Sequence, residues 1–89
     1  MLIRILGEGV YDVPEADLPA VEQLDAVLSE ALETGEEADF VGALADLVGE
    51  VRHSGVLLGP DDARPSTLVV PFPGSTLADL RVLLEEEAT

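Results

Sequence analysis

Hydrophobic positions fall into two regimes along this chain. Between residues 18 and 53 they recur at helical spacing; elsewhere they come in short runs broken by glycine and proline. The first run, Leu2-Ile3-Arg4-Ile5-Leu6, predicts a strand with Ile3 and Ile5 on one face and Leu2, Arg4 and Leu6 on the other. Gly7-Glu8-Gly9 supplies two residues free to take positive φ. Val10 to Val13 is a second short strand, so the amino-terminal segment reads as a β-hairpin or a strand with a bulged extension.

Pro14 ends that element, and Asp17 is placed to cap a helix that tolerates Pro19 in its first turn. Val21, Leu24, Val27, Leu28, Ala31 and Leu32 share one face of this helix, with Glu22, Glu30 and Glu33 opposite. Gly35 closes it, and Thr34 to Glu37 has the spacing of a capping box for a second helix. There Phe40, Leu44, Leu47, Val48 and Val51 form one stripe, with Val41 at its edge and Asp39, Asp46, Glu50 and His53 on the far side. Between the two faces runs a strip of small residues, Gly42, Ala45 and Gly49. A glycine inside a helix costs about 1 kcal/mol relative to alanine, so two of them invite a reason, such as close approach of another backbone.

Gly55 ends the second helix, and residues 59–66 read as a loop. Thr67 to Val70 is a third strand bounded by Pro65 and Pro71, which suits an edge or a short pairing. Pro73-Gly74 turns the chain, and Thr76 with Asp79 opens a last helix with Leu77, Leu80, Leu83 and Leu84 inward. Acids at its carboxyl end oppose the macrodipole, so the final residues should fray. The expectation is a single α+β domain over residues 1–89. It has two or three short strands, an antiparallel helical hairpin and a third, carboxyl-terminal helix.

Charge changes this picture more than composition does. Nineteen acids face four basic residues, all arginine, for a net charge of −15. Nucleic-acid binding needs a basic footprint and is not expected, and adsorption to an anionic membrane is opposed for the same reason. No apolar run reaches the roughly 20 residues of a membrane span, and the amino terminus carries no basic-then-apolar signal, so a cytoplasmic setting is expected without membrane insertion. The chain has no cysteine, hence no disulfide or thiol chemistry. A domain of this length buries only roughly 60% of its unfolded surface, so its fold is marginal and a partner or a second copy would support it. The absence of lysine suits a GC-rich genome or a saline cytoplasm equally.

Candidate chemistry is sparse. His53, the one histidine, sits near the carboxyl end of the second helix, and the spacing supplies no nucleophile or acid beside it. Gly7-Glu8-Gly9 lacks the third glycine and the following helix of a phosphate-cradling loop. Asp61-Asp62 has no further oxygen ligands at the alternating positions of a calcium loop. No catalytic, metal or cofactor site is expected. Asp25 and Arg52 border the apolar faces of the two helices near the open end of the hairpin, and an ion pair between them would fix its register. The candidate partner-binding residues are the small strip and its acidic flanks: Asp39, Gly42, Ala45, Asp46, Gly49 and Glu50.

The opening Ile3-Arg4-Ile5-Leu6-Gly7-Glu8-Gly9 with Tyr11-Asp12-Val13-Pro14 resembles the start of the small phage-shock-protein-A-associated (PspAA) family. So do Val51-Arg52, Gly55, Pro60-Asp61-Asp62, Pro65-Ser66 and Leu68-Val69-Val70-Pro71, then Ser75-Thr76-Leu77 with Asp79-Leu80-Arg81 and Leu83-Leu84. The resemblance covers roughly residues 1–84. It implies a non-enzymatic accessory of the phage-shock, or envelope-stress, response. Its partner would be a PspA-like coiled-coil membrane remodeller, through which the protein would be peripheral to the membrane. The rival from another class is a structural homo-oligomer with no PspA-like partner, a homodimer being the simplest. An enzyme, such as a carboxylate hydrolase, would need two acids of split pKa in one cleft.

A charge of −15 in so small a volume repels itself, and screening should relieve that. Denaturant midpoints are therefore expected to rise from low to physiological ionic strength. A flat midpoint would show that the acids lie too far apart to matter.

Overall fold

The computed structural model describes residues 1–59 and 64–79. Strand β1 (Leu2–Ile5) turns through Gly7, held at φ 85°, into antiparallel β2 (Gly9–Asp12). Helices α1 (Leu18–Thr34) and α2 (Glu37–Ser54) follow as an antiparallel hairpin. Two short strands complete a mixed sheet, β3 (Val56–Leu57) beside β2 and β4 (Leu68–Val70) beside β1. The sheet order is β3-β2-β1-β4, with β4 parallel to β1. A parallel pair needs a long crossover, and here the helical hairpin lies in that crossover. A third helix begins at Leu77 and is described to Asp79; the expected inward Leu80, Leu83 and Leu84 lie outside the described residues, as does most of the expected 59–66 loop.

The α+β class is as expected, and the sheet has one strand more than the sequence pattern shows. Strand β3 is two residues long, with Val56 and Leu57 68% and 55% exposed, so it has neither the length nor the alternation that marks a strand. It exists because Gly55 lets the chain leave α2 against β2. A Cβ at Gly55 would sit 2.7 Å from the Val51 carbonyl oxygen and 2.9 Å from Tyr11 Cβ. Strand β4 lies at the sheet edge between Pro65 and Pro71, as the prolines predicted.

The core lies between the helical hairpin and one face of the sheet. Ile3, Ile5 and Val70 from the strands join Phe40, Leu44, Leu47, Val48 and Val51 of α2 and Val21, Leu28 and Ala31 of α1 in one buried cluster. The α2 stripe is buried in full, and Ala43 joins it. The α1 stripe is covered only in part: Val27 and Leu32, expected inward, are 45% and 38% exposed. The apolar arc of α1 is wider than the surface that α2 and the sheet offer it.

Cap chemistry matches the sequence at some ends and departs at others. Gly35 takes φ 73° and its N–H donates to the Ala31 carbonyl, closing α1. Asp17 makes no side-chain cap; it ends a short 3-10 turn, Glu15–Asp17, which already feeds the chain into α1. The Thr34–Glu37 capping box does not form: the Thr34 hydroxyl donates back to the Ala31 carbonyl. Glu37 instead accepts the backbone N–H of Leu77 at 3.3 Å, so it caps the third helix from across the molecule. The Thr76–Asp79 box does form, with reciprocal bonds of 3.1 and 3.2 Å.

The expected Asp25–Arg52 pair is absent. Asp25 lies ten residues before Gly35 and Arg52 seventeen after it. In an antiparallel hairpin this seven-residue mismatch separates them by about 10 Å along the axis. Arg52 reaches the β1–β2 turn instead. Its Nη2 pairs with Glu8 Oε1, its Nε donates to Glu8 Oε2 at 3.1 Å, and the Tyr11 hydroxyl donates to the same carboxylate at 3.2 Å. With Arg52 half exposed, this clamp is worth at most about 1 kcal/mol, but it ties the end of α2 to the hairpin turn.

Two substitutions test the packing. Leu44→Ala should cost about 2–5 kcal/mol, enough to unfold a marginal domain; an unchanged melting temperature would contradict its burial. Glycines should divide by environment. Gly55→Ala meets backbone at 2.7 Å and should destabilise by about 1–3 kcal/mol. Gly42→Ala meets nothing within 4 Å and should stabilise by about 0.5–1 kcal/mol. Denaturant midpoints of the two variants should move in opposite directions.

Candidate interaction groove

A surface groove of about 490 Å³ lies along the seam between α1 and α2 at the end of the hairpin that Gly35 closes. Its apolar lining is Val27 and Ala31 from α1 with Ala38, Gly42 and Ala43 from α2. Acids line it from both helices: Glu30 on α1, Asp39 and Asp46 on α2, and Glu36 between them. Each of these four side chains belongs to an exposed residue.

The groove follows from the helix sequences. Val27 and Ala43 each lie eight residues from Gly35, so antiparallel packing brings them to the same level. Alanine at 43 and glycine at 42 are too small to cover Val27, and the apolar arc of α1 is left open there. Asp39, Gly42 and Asp46 recur at three- and four-residue spacing and so share one face of α2, while Glu30 sits three residues beyond Val27 on α1.

Of the six residues singled out from the sequence, Asp39, Gly42 and Asp46 line this groove. Ala45 and Gly49 are exposed on α2 but outside the lining, and a Cβ at Gly49 would meet nothing within 4 Å. Glu50 is half-buried and accepts a 2.7 Å hydrogen bond from the Ser54 hydroxyl, which engages it within its own helix. The sequence reading missed the α1 wall, Val27 and Glu30. Counting outward from Gly35 on both helices would have found it. His53 is exposed, and among the described residues no group of three or more histidines and acids is placed to hold a metal ion. No helix among the described residues is long and apolar enough to cross a membrane.

The groove is acidic as well as partly apolar. Four acidic residues line the groove together with its apolar residues, in a chain already at −15. Such a surface attracts lysine and arginine over distances of about a Debye length and offers the apolar contact that charge alone lacks.

No curated protein and no solved structure matches the chain. A family model does: the one described as PspA-Associated protein matches residues 1–89. With the match spanning the whole sequence, the chain belongs to the PspA-associated protein family.

Proposed function

We propose that this protein is a non-enzymatic accessory of the phage-shock response, which docks a basic amphipathic helix of a PspA-like coiled-coil protein in the groove between α1 and α2. The observation that carries the reading is the pairing of an open apolar strip with acids from both helices. The family supplies the class of partner, since its description ties its members to PspA. A helix lying in a groove presents apolar anchors at positions i, i+3 or i+4 and i+7, with charges to either side. Gly42 lets such a helix approach closely, and Asp39, Asp46 and Glu30 meet its lysines and arginines. The protein itself then needs no membrane contact: it stays in the cytoplasm and reaches the bilayer periphery through its partner.

Docking at this groove predicts a gradient along α2. Gly42→Leu fills the groove and should weaken binding of a PspA-like protein from the same organism by about tenfold or more. Gly49→Leu, outside the lining, should do much less, and both variants should keep their fold because neither position has a neighbour within 4 Å. Asp39→Asn with Asp46→Asn should weaken binding at low salt and flatten its salt dependence. Titration calorimetry across ionic strengths measures all three. Gly42→Leu binding as tightly as the parent would remove the groove as the docking face.

A further inference from the structure

The sheet has a second face, turned away from the helices, and its composition differs from the rest of the surface. Ile3 and Ile5 are fully buried beneath the helical layer, so alternation turns Leu2 and Arg4 outward. Register adds their cross-strand neighbours: Val10 and Val69 beside Arg4, Asp12 beside Leu2, and Val56 beside Asp12. Val56 and Val69 are 68% and 54% exposed. Nine acids lie on the helical hairpin, whereas these six outward strand residues carry one positive and one negative charge. Arg4 is exposed and, among the described residues, has no carboxylate partner. Asp12 keeps 46% of its side chain exposed, with the Met1 amino group 3.7 Å away. Beside Arg4, a hollow of about 390 Å³ opens between Val10 and the β3 segment at Leu57 and Leu58; Glu8 also lines it, with its charge balanced by the Arg52 ion pair.

We propose that this face is the interface with a second copy of the chain. It is electrically neutral in a molecule of −15, so two copies meeting here keep their acidic helices on opposite outer sides. The strand order makes the face self-complementary. In β3-β2-β1-β4, a two-fold axis running along the strands between β1 and β2 sets β1 of one copy over β2 of the other, and β4 over β3. Arg4 then faces the strand that carries the partner copy's aspartate at position 12, and Val69 faces the hollow beside Leu57 and Leu58. Four strands about 4.8 Å apart, two of four residues, one of three and one of two, give a small footprint, below the roughly 800 Å² per partner of a standard interface. The dimer is accordingly weak and concentration-dependent.

The proposal is independent of the groove reading, and salt separates the two. Repulsion between two copies of −15 is screened as salt rises, so self-association should tighten, whereas docking of a basic helix should loosen. Sedimentation equilibrium of the full chain across concentration and ionic strength reads this directly. Arg4→Asp and Asp12→Arg should each weaken the dimer about tenfold or more, and the double swap should restore it. Val69→Glu, at an exposed edge-strand position, should give a monomer with unchanged circular dichroism. Chemical-shift changes on diluting the unmodified protein need no variant and should fall on Arg4, Val10 and Val69. A chain that stays monomeric to about millimolar concentration at high salt, single variants that dimerise as the parent does, or dilution shifts at Gly42 and Asp46 instead would each overturn the proposal.

Discussion

The inner face of α2 against Ile3, Ile5 and Val70 is the contact on which the rest of the structure depends. Phe40, Leu44, Leu47 and Val51 are all essentially inaccessible to solvent, and they join Ile3, Ile5 and Val70 of the parallel pair, β1 with β4, whose connection contains both helices. Parallel pairing has no local turn to enforce it. The helix that lies in the connection therefore has to carry the adhesion. Once α2 is seated, Gly55 must pass within contact of Tyr11 and Val13, which delivers β3 to the sheet. Arg52 is delivered to Glu8 by the same seating. Glu37, at the other end of α2, meets the amide of Leu77 and so positions the third helix. One helix thus sets both ends of the molecule.

How much of this the sequence displayed depends on the range of the interaction. The α2 stripe, the hairpin closure at Gly35, the edge strand between two prolines and the Thr76–Asp79 box are all set by residues within a turn or two of each other, and each is legible as a pattern. Glu37 shows the limit. Its spacing from Thr34 is that of a local capping box, but the carboxylate goes to an amide forty residues away. Arg52 shows the same limit, since its partner Glu8 lies forty-four residues distant and the nearer candidate, Asp25, is out of level in the hairpin. Strand β3 was hidden for another reason: two residues carry no period. On the groove, α2 contributed a readable strip, whereas the α1 wall required knowing that helical periodicity can exceed the area available to cover it.

The two broad faces of the protein divide its charge. The helical layer carries most of the described acids, and the outward strand residues balance one arginine against one aspartate. Such segregation is not required for folding, because exposed acids spread over both faces would repel each other less. On the two proposals, it would give the protein two surfaces that respond to ionic strength with opposite sign, one recruiting a basic partner and one tolerating a like-charged neighbour. A module that binds a basic partner while pairing with itself would need this arrangement, since an acidic sheet face would forbid the second contact and a neutral helical face would weaken the first.

Gly42 and Gly49 bear on the same point from the side of stability. Glycines in a helix interior are commonly retained where another part of the chain presses close, and Gly55 illustrates that at a helix end, with backbone at 2.7 Å from an added Cβ. Gly42 and Gly49 have open space there instead. Within the folded monomer they only lower helix propensity, by about 1 kcal/mol each, in a domain with little stability to spare. Local rules that a sequence breaks without internal compensation tend to mark functional surface. At Gly42 the break coincides with an uncovered valine and four acids, and the docking proposed for this groove would supply the constraint that the folded monomer lacks. At Gly49 no such neighbours are present, and the structure gives that glycine no role.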